Sequence, residues 1–262
     1  LQEGGEPAGL PKGAIQLIPF TDRDSVKVLA GMGEYLDLII PRGGEGLIKA
    51  VVSMAVMPVI KHYDGICHAY VETEANQQQA VEIIDDGKTQ KCSGCNALET
   101  VLVDQAIAAE FLPELENRLD KRGVEIRGCD RTREILTDVK AASEEDWTTE
   151  YLDLIISVKI VDSIEQAIEH VNFYGSHHSE VIITENQQKA EQFLSSVDSA
   201  CVYHNVSTRF SDGEEFGFGA EIGISTDKLH ARGPMGLVEL TSYQYRVRGD
   251  GQLKDKGRQE GL

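Results

Sequence analysis

The chain has 262 residues, enough for one large domain or two ordinary ones, and 41% of them are hydrophobic, so a sizeable core can form. A formal net charge of −19 argues against nucleic acid as a partner, because a phosphate backbone would be repelled. No apolar run approaches the length of a membrane span, and the opening LQEGGEPAGLPKG has neither a basic n-region nor an apolar h-region, so no membrane partner is expected.

Residues 14–19 read as a short strand, and SVKVLAGMG from Ser25 reads as a helix ended by glycine. YLDLIIP then reads as a buried strand, followed by RGGEG and the helical LIKAVVSMAVMP. A strand, a glycine turn and a helix in that order form half of a nucleotide-binding α/β unit. PVIKH and ICHAYVE are the next strands, and a helix follows over Gln77–Asp85 with Ala80, Ile83 and Ile84 on one face.

KCSGC places Cys92 and Cys95 in a CxxC spacing between that helix and the strand TVLV. A structural zinc site needs four ligands, commonly two such pairs; here there is one pair, with His62 and His68 as the nearest upstream candidates. A redox pair usually opens a helix directly after a strand, the reverse of the order here. The third reading is one nucleophilic thiol: Gly94 permits close backbone approach, and Lys88 and Lys91 bring positive charge nearby. From these residues alone the reactive thiol and an inert one stand level. The cysteine count is five, and no signal peptide opens the chain, which suits free thiols in a reducing cytosol.

Downstream, a helix over Gln105–Lys121 closes at Gly123, and VEIRG and LDLIISVKIVD are strands. Ser163 with Gln166 forms a capping-box signature for IEQAIEHVNFYG. EVIIT, NQQKAEQFLSSV and ACVYHNV continue as strand, helix and strand, so the whole predicts α/β layers with much parallel pairing. From Ser207 the texture becomes glycine-rich and aperiodic through STRFSDGEEFGFGAEIGISTDKLHARGPMG, and irregular segments of that length are usually functional. TSYQYRVRGD reads as an alternating strand before a polar tail.

KTQKCSGCNALETVLVD resembles the active-site segment of the glutamate-5-semialdehyde dehydrogenase (gamma-glutamyl phosphate reductase) family, within the aldehyde dehydrogenase superfamily. DLIIPRGGEGLIKAV, PVIKHYDGICHAYVE, WTTEYLDLIISVKIVDSIEQAIEHVN, YGSHHSEVIITEN and STRFSDGEEFGFGAEIGISTDKLHARGPMGL resemble that family's motifs in the family's order. The resemblance implies an α/β, aldehyde dehydrogenase-like fold: a partial Rossmann-type cofactor domain, an α/β catalytic domain and a C-terminal oligomerisation strand. In the same terms residues 1–80 are the remainder of the NADP-binding domain, 81–212 the catalytic domain, 213–238 a return segment, and 239–262 the oligomerisation strand and tail.

The family's nucleophile immediately precedes NALE, which places it at Cys95, with Cys92 a bystander. The resemblance further implies NADPH-dependent reduction of L-glutamyl 5-phosphate to the 5-semialdehyde and phosphate, through a thioester on Cys95, in proline biosynthesis. Arg42, Gly43, Gly44 and Gly46 would meet the cofactor pyrophosphate, and Glu150 the nicotinamide ribose. Arg209 and Arg232 suit a phosphate and a carboxylate, with Asn205 and Ser207 assisting. His62 and Asp64 fall where hydrolytic relatives carry a water-activating glutamate and are taken as structural; no metal is expected. A homo-oligomer and a glutamate 5-kinase are the implied partners, and the cytoplasm the implied location. The match starts inside the family's N-terminal half, so the chain is expected to be truncated and to turn over little by itself. The alternatives are a reductase fused to a kinase and a non-catalytic protein of this fold.

Overall fold

The structure is a computed structural model that describes residues 1–61, 64–228 and 231–254. His62, one of the two residues taken as structural, and residues 255–262 of the expected tail lie outside the described residues. After a four-residue helix α1 (Gln2–Gly5), α2 (Arg23–Ala30) and α3 (Glu45–Met54) form a small unit. Asp22 caps α2 by accepting from the Ser25 amide at 2.8 Å. The strand expected at residues 14–19 is absent, and YLDLIIP and PVIKH meet only in a single parallel bridge, Ile39 to Val59. Apolar residues make these segments strand-like, but a strand exists only through the ladder it shares, and no further partner lies alongside among the described residues.

The main body alternates β1 (Cys67–Val71), α4 (Gln77–Thr89), β2 (Leu98–Asp104), α5 (Gln105–Asp120), β3 (Glu125–Gly128), α6 (Asp130–Ile135), β4 (Lys140–Ala141), β5 (Ile155–Val161), α7 (Ile164–Tyr174), β6 (Ser179–Ile183), α8 (Gln187–Ser196) and β7 (Cys201–His204). Its seven strands form one parallel sheet in the order β4-β3-β5-β2-β1-β6-β7. Parallel strands covered on both faces read as near-continuous apolar runs, as TVLV and VII do here. A two-stranded antiparallel ribbon, β8 (Ile224–Ser225) with β9 (Gly233–Pro234), follows. The domain boundary expected between residues 80 and 81 falls inside α4. The sheet takes β1 from before it, because β1 lies between β2 and β6. TSYQYRVRGD forms no strand, again for want of a partner among the described residues.

One face of the sheet packs against α4, α5 and their neighbours through Ala80, Ile84, Val101, Phe111, Leu115, Ile156 and Val181. The other carries Tyr70, Leu102, Val161 and Ile182 under α7 and α8, which contribute Val171 and Phe193. Helix starts follow local chemistry: Asn76, Asp104, Ser163 and Asn186 each accept from a first-turn amide.

Towards the amino ends of the strands the α7 face turns polar. His68 Nδ1 meets Glu180 Oε2 at 3.0 Å, and both side chains are fully buried. His170 on α7 accepts from Lys159 Nζ at 3.1 Å and packs edge-on against Trp147 and His68 and tilted against Tyr174. Burial first, then the His68 ring and the Lys159 ammonium, drive the His170 pKa from 6.5 down to about 2. The unfolded chain therefore binds a proton below pH 6.5 that the folded chain refuses. This contribution to stability is complete above that pH and drains away as pH falls towards the folded value. His170→Phe keeps the ring packing and removes the titration. Its urea midpoint should fall less than that of the parent between about pH 7 and about pH 4, as read by circular dichroism.

Candidate active site

Cys95 lies on the loop joining α4 to β2, at the amino edge of the sheet. The loop is a pair of tight turns, with the Gly94 amide donating to Lys91 O at 3.1 Å and the Ala97 amide to Gly94 O at 2.9 Å. It is clasped from below by the segment after β7. Asn96 Nδ2 donates to Ser211 O at 2.9 Å, and Thr208 Oγ1 donates to Asn96 O at 2.7 Å. On the other side the chain entering β1 presses directly on the Cys95 backbone: a Cβ on Gly65 would stand 1.8 Å from the Cys95 carbonyl oxygen. The buried Cys67 thiol points at the same oxygen, 3.4 Å away. All five cysteines are free, and Cys95 and Cys92 are both half-buried.

Burial pushes the Cys95 thiol up, and the nearby carboxylates of Glu150 and Glu221 push it further. Its own backbone amide and the Arg209 guanidinium act in the opposite direction. The thiol is therefore a protonated group that needs a proton acceptor when it reacts. Lys88, expected to supply positive charge to it, is fully buried in a 2.7 Å ion pair with Glu99 instead. Arg209 fills that role: it lies over Gly94, whose added Cβ would stand 2.6 Å from an Arg209 guanidinium nitrogen, and its Nε donates to Gln90 Oε1 at 2.8 Å.

Glu150 Oε1 accepts from the Gly65 amide at 2.9 Å. Burial raises its pKa and Asp64 adds to the rise, against the pull of the Gly65 amide and Lys88. Asp64 is exposed, and among the described residues it acts on the site through its charge on Glu150. Glu221 belongs to the same group although the sequence analysis did not single it out. It accepts from the Gly213 amide at 2.8 Å, has its pKa raised mainly by burial, and is opposed by Arg42. The glycine-rich texture around it, FGFGAEIGIS, was the signal that could have found it.

The remaining candidates divide into two groups. Arg42 reaches the site, 3.4 Å from where a Gly223 Cβ would be, and Gly44 heads α3 without a side-chain cap. That leaves first-turn amides open to an anion. Gly43 has a φ of 155° and packs on Leu47, while a Cβ on Gly44 or Gly46 would meet nothing within 4 Å. Ser207 caps the short turn Thr208–Phe210 by accepting from the Arg209 amide, and so orients Arg209. Asn205 instead commits both ends of its amide to the backbone of Thr184 and adopts a φ of 55°. Arg232 donates to the Asp198 carboxylate at 2.9 Å and to the Asp198 carbonyl. These two residues hold loops in this structure, Asn205 to Thr184 after β6 and Arg232 to Asp198 before β7.

The close contact at residue 65 gives a test of the geometry. Gly65→Ala should destabilise the chain by about 1–3 kcal/mol or more in urea unfolding, since backbone must move to admit the new carbon. Gly46→Ala, in open space within α3, should be neutral or stabilising by up to about 1 kcal/mol.

The parallel sheet, the Cys95 loop before its second strand and the glycine-rich segment after β7 together form the aldehyde dehydrogenase fold. An acetylating aldehyde dehydrogenase from Geobacillus thermoglucosidasius superposes with a TM-score of 0.70 at 20% identity, covering 95% of this chain and 65% of that one. No protein-family model matches the chain. Within this fold the chain is a relative of the gamma-glutamyl phosphate reductases. It is 53% identical to the one from Nautilia profundicola over 250 residues, 95% of this chain and 61% of the relative. The crystal structure of the Thermotoga maritima gamma-glutamyl phosphate reductase matches with a TM-score of 0.93 at 49% identity, covering 97% of this chain and 61% of that one. The chain thus spans about 61% of the length of these relatives.

Proposed function

We propose that the chain forms the nucleophile-bearing part of an oxidoreductase that converts L-glutamyl 5-phosphate to L-glutamate 5-semialdehyde and phosphate with NADPH, in proline biosynthesis. The observation that carries this reading is a half-buried Cys95 between two carboxylates and a guanidinium, in a chain similar to gamma-glutamyl phosphate reductases.

In this reading Arg209 attracts the acyl phosphate to the Cys95 loop. Cys95 Sγ attacks the acyl carbon, the carbon–oxygen bond to phosphate breaks, and the thiol proton leaves with the phosphate, so the raised thiol needs no dedicated base. The Cys95 amide, already turned towards the sulfur, donates to the oxygen that becomes negative in the tetrahedral state. Bound NADPH would supply a hydride to the acyl carbon. The thiohemiacetal on Cys95 then releases the aldehyde and regains its thiol.

The residues present fit such a cofactor. The uncapped start of α3 with Arg42 beside it suits a pyrophosphate, and Glu150 has its Oε2 free to accept from a ribose hydroxyl. Gly43, Gly44 and Gly46 would let the pyrophosphate approach. Arg232 and Asn205 support the substrate loops from behind, by way of Asp198 and Thr184. Tyr243, Tyr245 and Val247, each more than four-fifths exposed on an unpaired extended segment, suit a contact with a second copy of the chain. A glutamate 5-kinase that hands over the labile acyl phosphate would be a natural partner, and the cytoplasm its setting.

Mass spectrometry after brief iodoacetamide treatment should find Cys95 modified ahead of the other four cysteines; an unmodified Cys95 beside a modified Cys92 would end this reading. In phosphate-dependent reduction of NADP by a protein carrying this chain, Cys95→Ala should cost about three orders of magnitude or more. Arg209→Glu should raise the Michaelis constant for the phosphorylated substrate at least about tenfold, the loss of one charge-assisted contact.

A further inference from the structure

Lys88 and Glu99 stand at the two ends of the nucleophile loop, the first in the last turn of α4 and the second at the start of β2. Their side chains are both completely buried and joined by a 2.7 Å hydrogen bond across a sequence separation of eleven. Nothing in the packing demands an ion pair here. Gly87 already fits against Leu98, where an added Cβ would stand 2.6 Å from the leucine side chain, so the helix end and the strand start also meet through an apolar contact beside the pair. Two buried charges cost more in lost hydration than their attraction generally returns, and apolar replacements of such pairs are often neutral or stabilising. The pair's surroundings point to another use. The Glu99 carboxylate lies beside the Tyr151 backbone amide and feels the Glu150 charge, and Lys88 faces the Tyr151 ring at 5.8 Å and acts on Glu150. Three chain segments therefore converge on the pair: the end of α4, the start of β2, and residues 150–151, whose Glu150 flanks Cys95.

We propose that the Lys88–Glu99 ion pair is a positioning device that fixes the Cys95 loop and the Glu150 carboxylate relative to each other. It rests on the reading of Cys95 as the nucleophile and adds what holds that nucleophile in register. The groups that face Cys95 are Glu150, Glu221 and Arg209; those that face Glu99 are Lys88, Glu150, Cys67 and the Tyr151 amide. Without the pair, the 150–151 segment and the loop lose their common anchor. The Cys95 thiol then escapes part of the burial and part of the carboxylate field that now hold it up.

The test measures the pH profile of the iodoacetamide alkylation rate at Cys95 in the parent chain, in Glu99→Gln and in Lys88→Met/Glu99→Leu. The double variant keeps volume while removing both charges, and is expected to melt at or above the parent temperature. In both variants the midpoint of the profile should move down by about half a unit or more, towards an ordinary thiol. Labelling below the midpoint should then be roughly threefold faster. Amides 94–97 should exchange hydrogen faster than in the parent. A folded double variant with an unchanged profile and unchanged exchange would overturn the proposal. A double variant that melts far below the parent would also overturn it, since the pair would then be a stability element. Failure of the parent chain to label at Cys95 would instead strike the nucleophile reading itself, which keeps the two outcomes apart.

Discussion

The structure turns on a contact with room for a hydrogen atom and nothing larger. Gly65, leading into β1, lies so close to Cys95 that any side chain there would run into the Cys95 carbonyl oxygen. That approach brings the entry of one strand against the entry of the next. It also lets the Gly65 amide reach Glu150, which belongs to the lead-in of a third. Protein interiors are close-packed and do not deform gradually, so a fixed backbone contact of this kind sets the position of everything attached to it. The thiol, its flanking carboxylate and the buried Cys67 behind it are all placed through these few backbone atoms.

Around that contact the site combines charges that oppose one another. Glu150 and Glu221 both raise the thiol, and Arg209 and the Cys95 amide lower it. The carboxylates are in turn tempered by different cations: Glu150 by Lys88 from the interior, and Glu221 by Arg42 from the α3 side. Glu150 with Lys88 and Glu221 with Arg42 therefore form two carboxylate–cation couples, and both carboxylates act on the Cys95 thiol. In the reaction proposed here, such a balance keeps the sulfur neutral until an anionic acyl phosphate arrives with its own proton acceptor.

Much of the fold was legible because its signals are local. Apolar runs announced the parallel strands, and Ser163 reads as a cap from its spacing to Gln166 and acts as one. The helix–loop–strand context of the CxxC pair was likewise visible. What sequence could not show depends on distant partners. YLDLIIP and TSYQYRVRGD have strand-like residues but too little ladder to join. Lys88 looked like a cation beside the thiol because it is seven residues from it, yet the helix turns its side chain inwards to Glu99. Glu221 was hidden by the opposite effect. It is far from Cys95 along the chain and arrives beside it only when the glycine-rich segment folds back. Asn205 commits its amide to Thr184, whereas Arg232 donates to Asp198 and leaves its buried Nε without a partner among the described residues; neither arrangement is visible in the local sequence.

The edge of the sheet on which Cys95 sits has an electrostatic character of its own. In most open α/β sheets, ligands gather at the carboxyl ends of the strands, where helices begin and their exposed amides favour anions. Here Cys95 lies at the amino ends, where α4 finishes and its last-turn carbonyls lack partners within the helix. A helix terminus of that polarity carries roughly half a negative charge. That partial charge has the same sign as the Glu150 and Glu221 carboxylates near Cys95, and Arg209 over Gly94 opposes all three. An acyl group parked on the sulfur would be sheltered from hydrolysis by the direction in which the neighbouring helix runs.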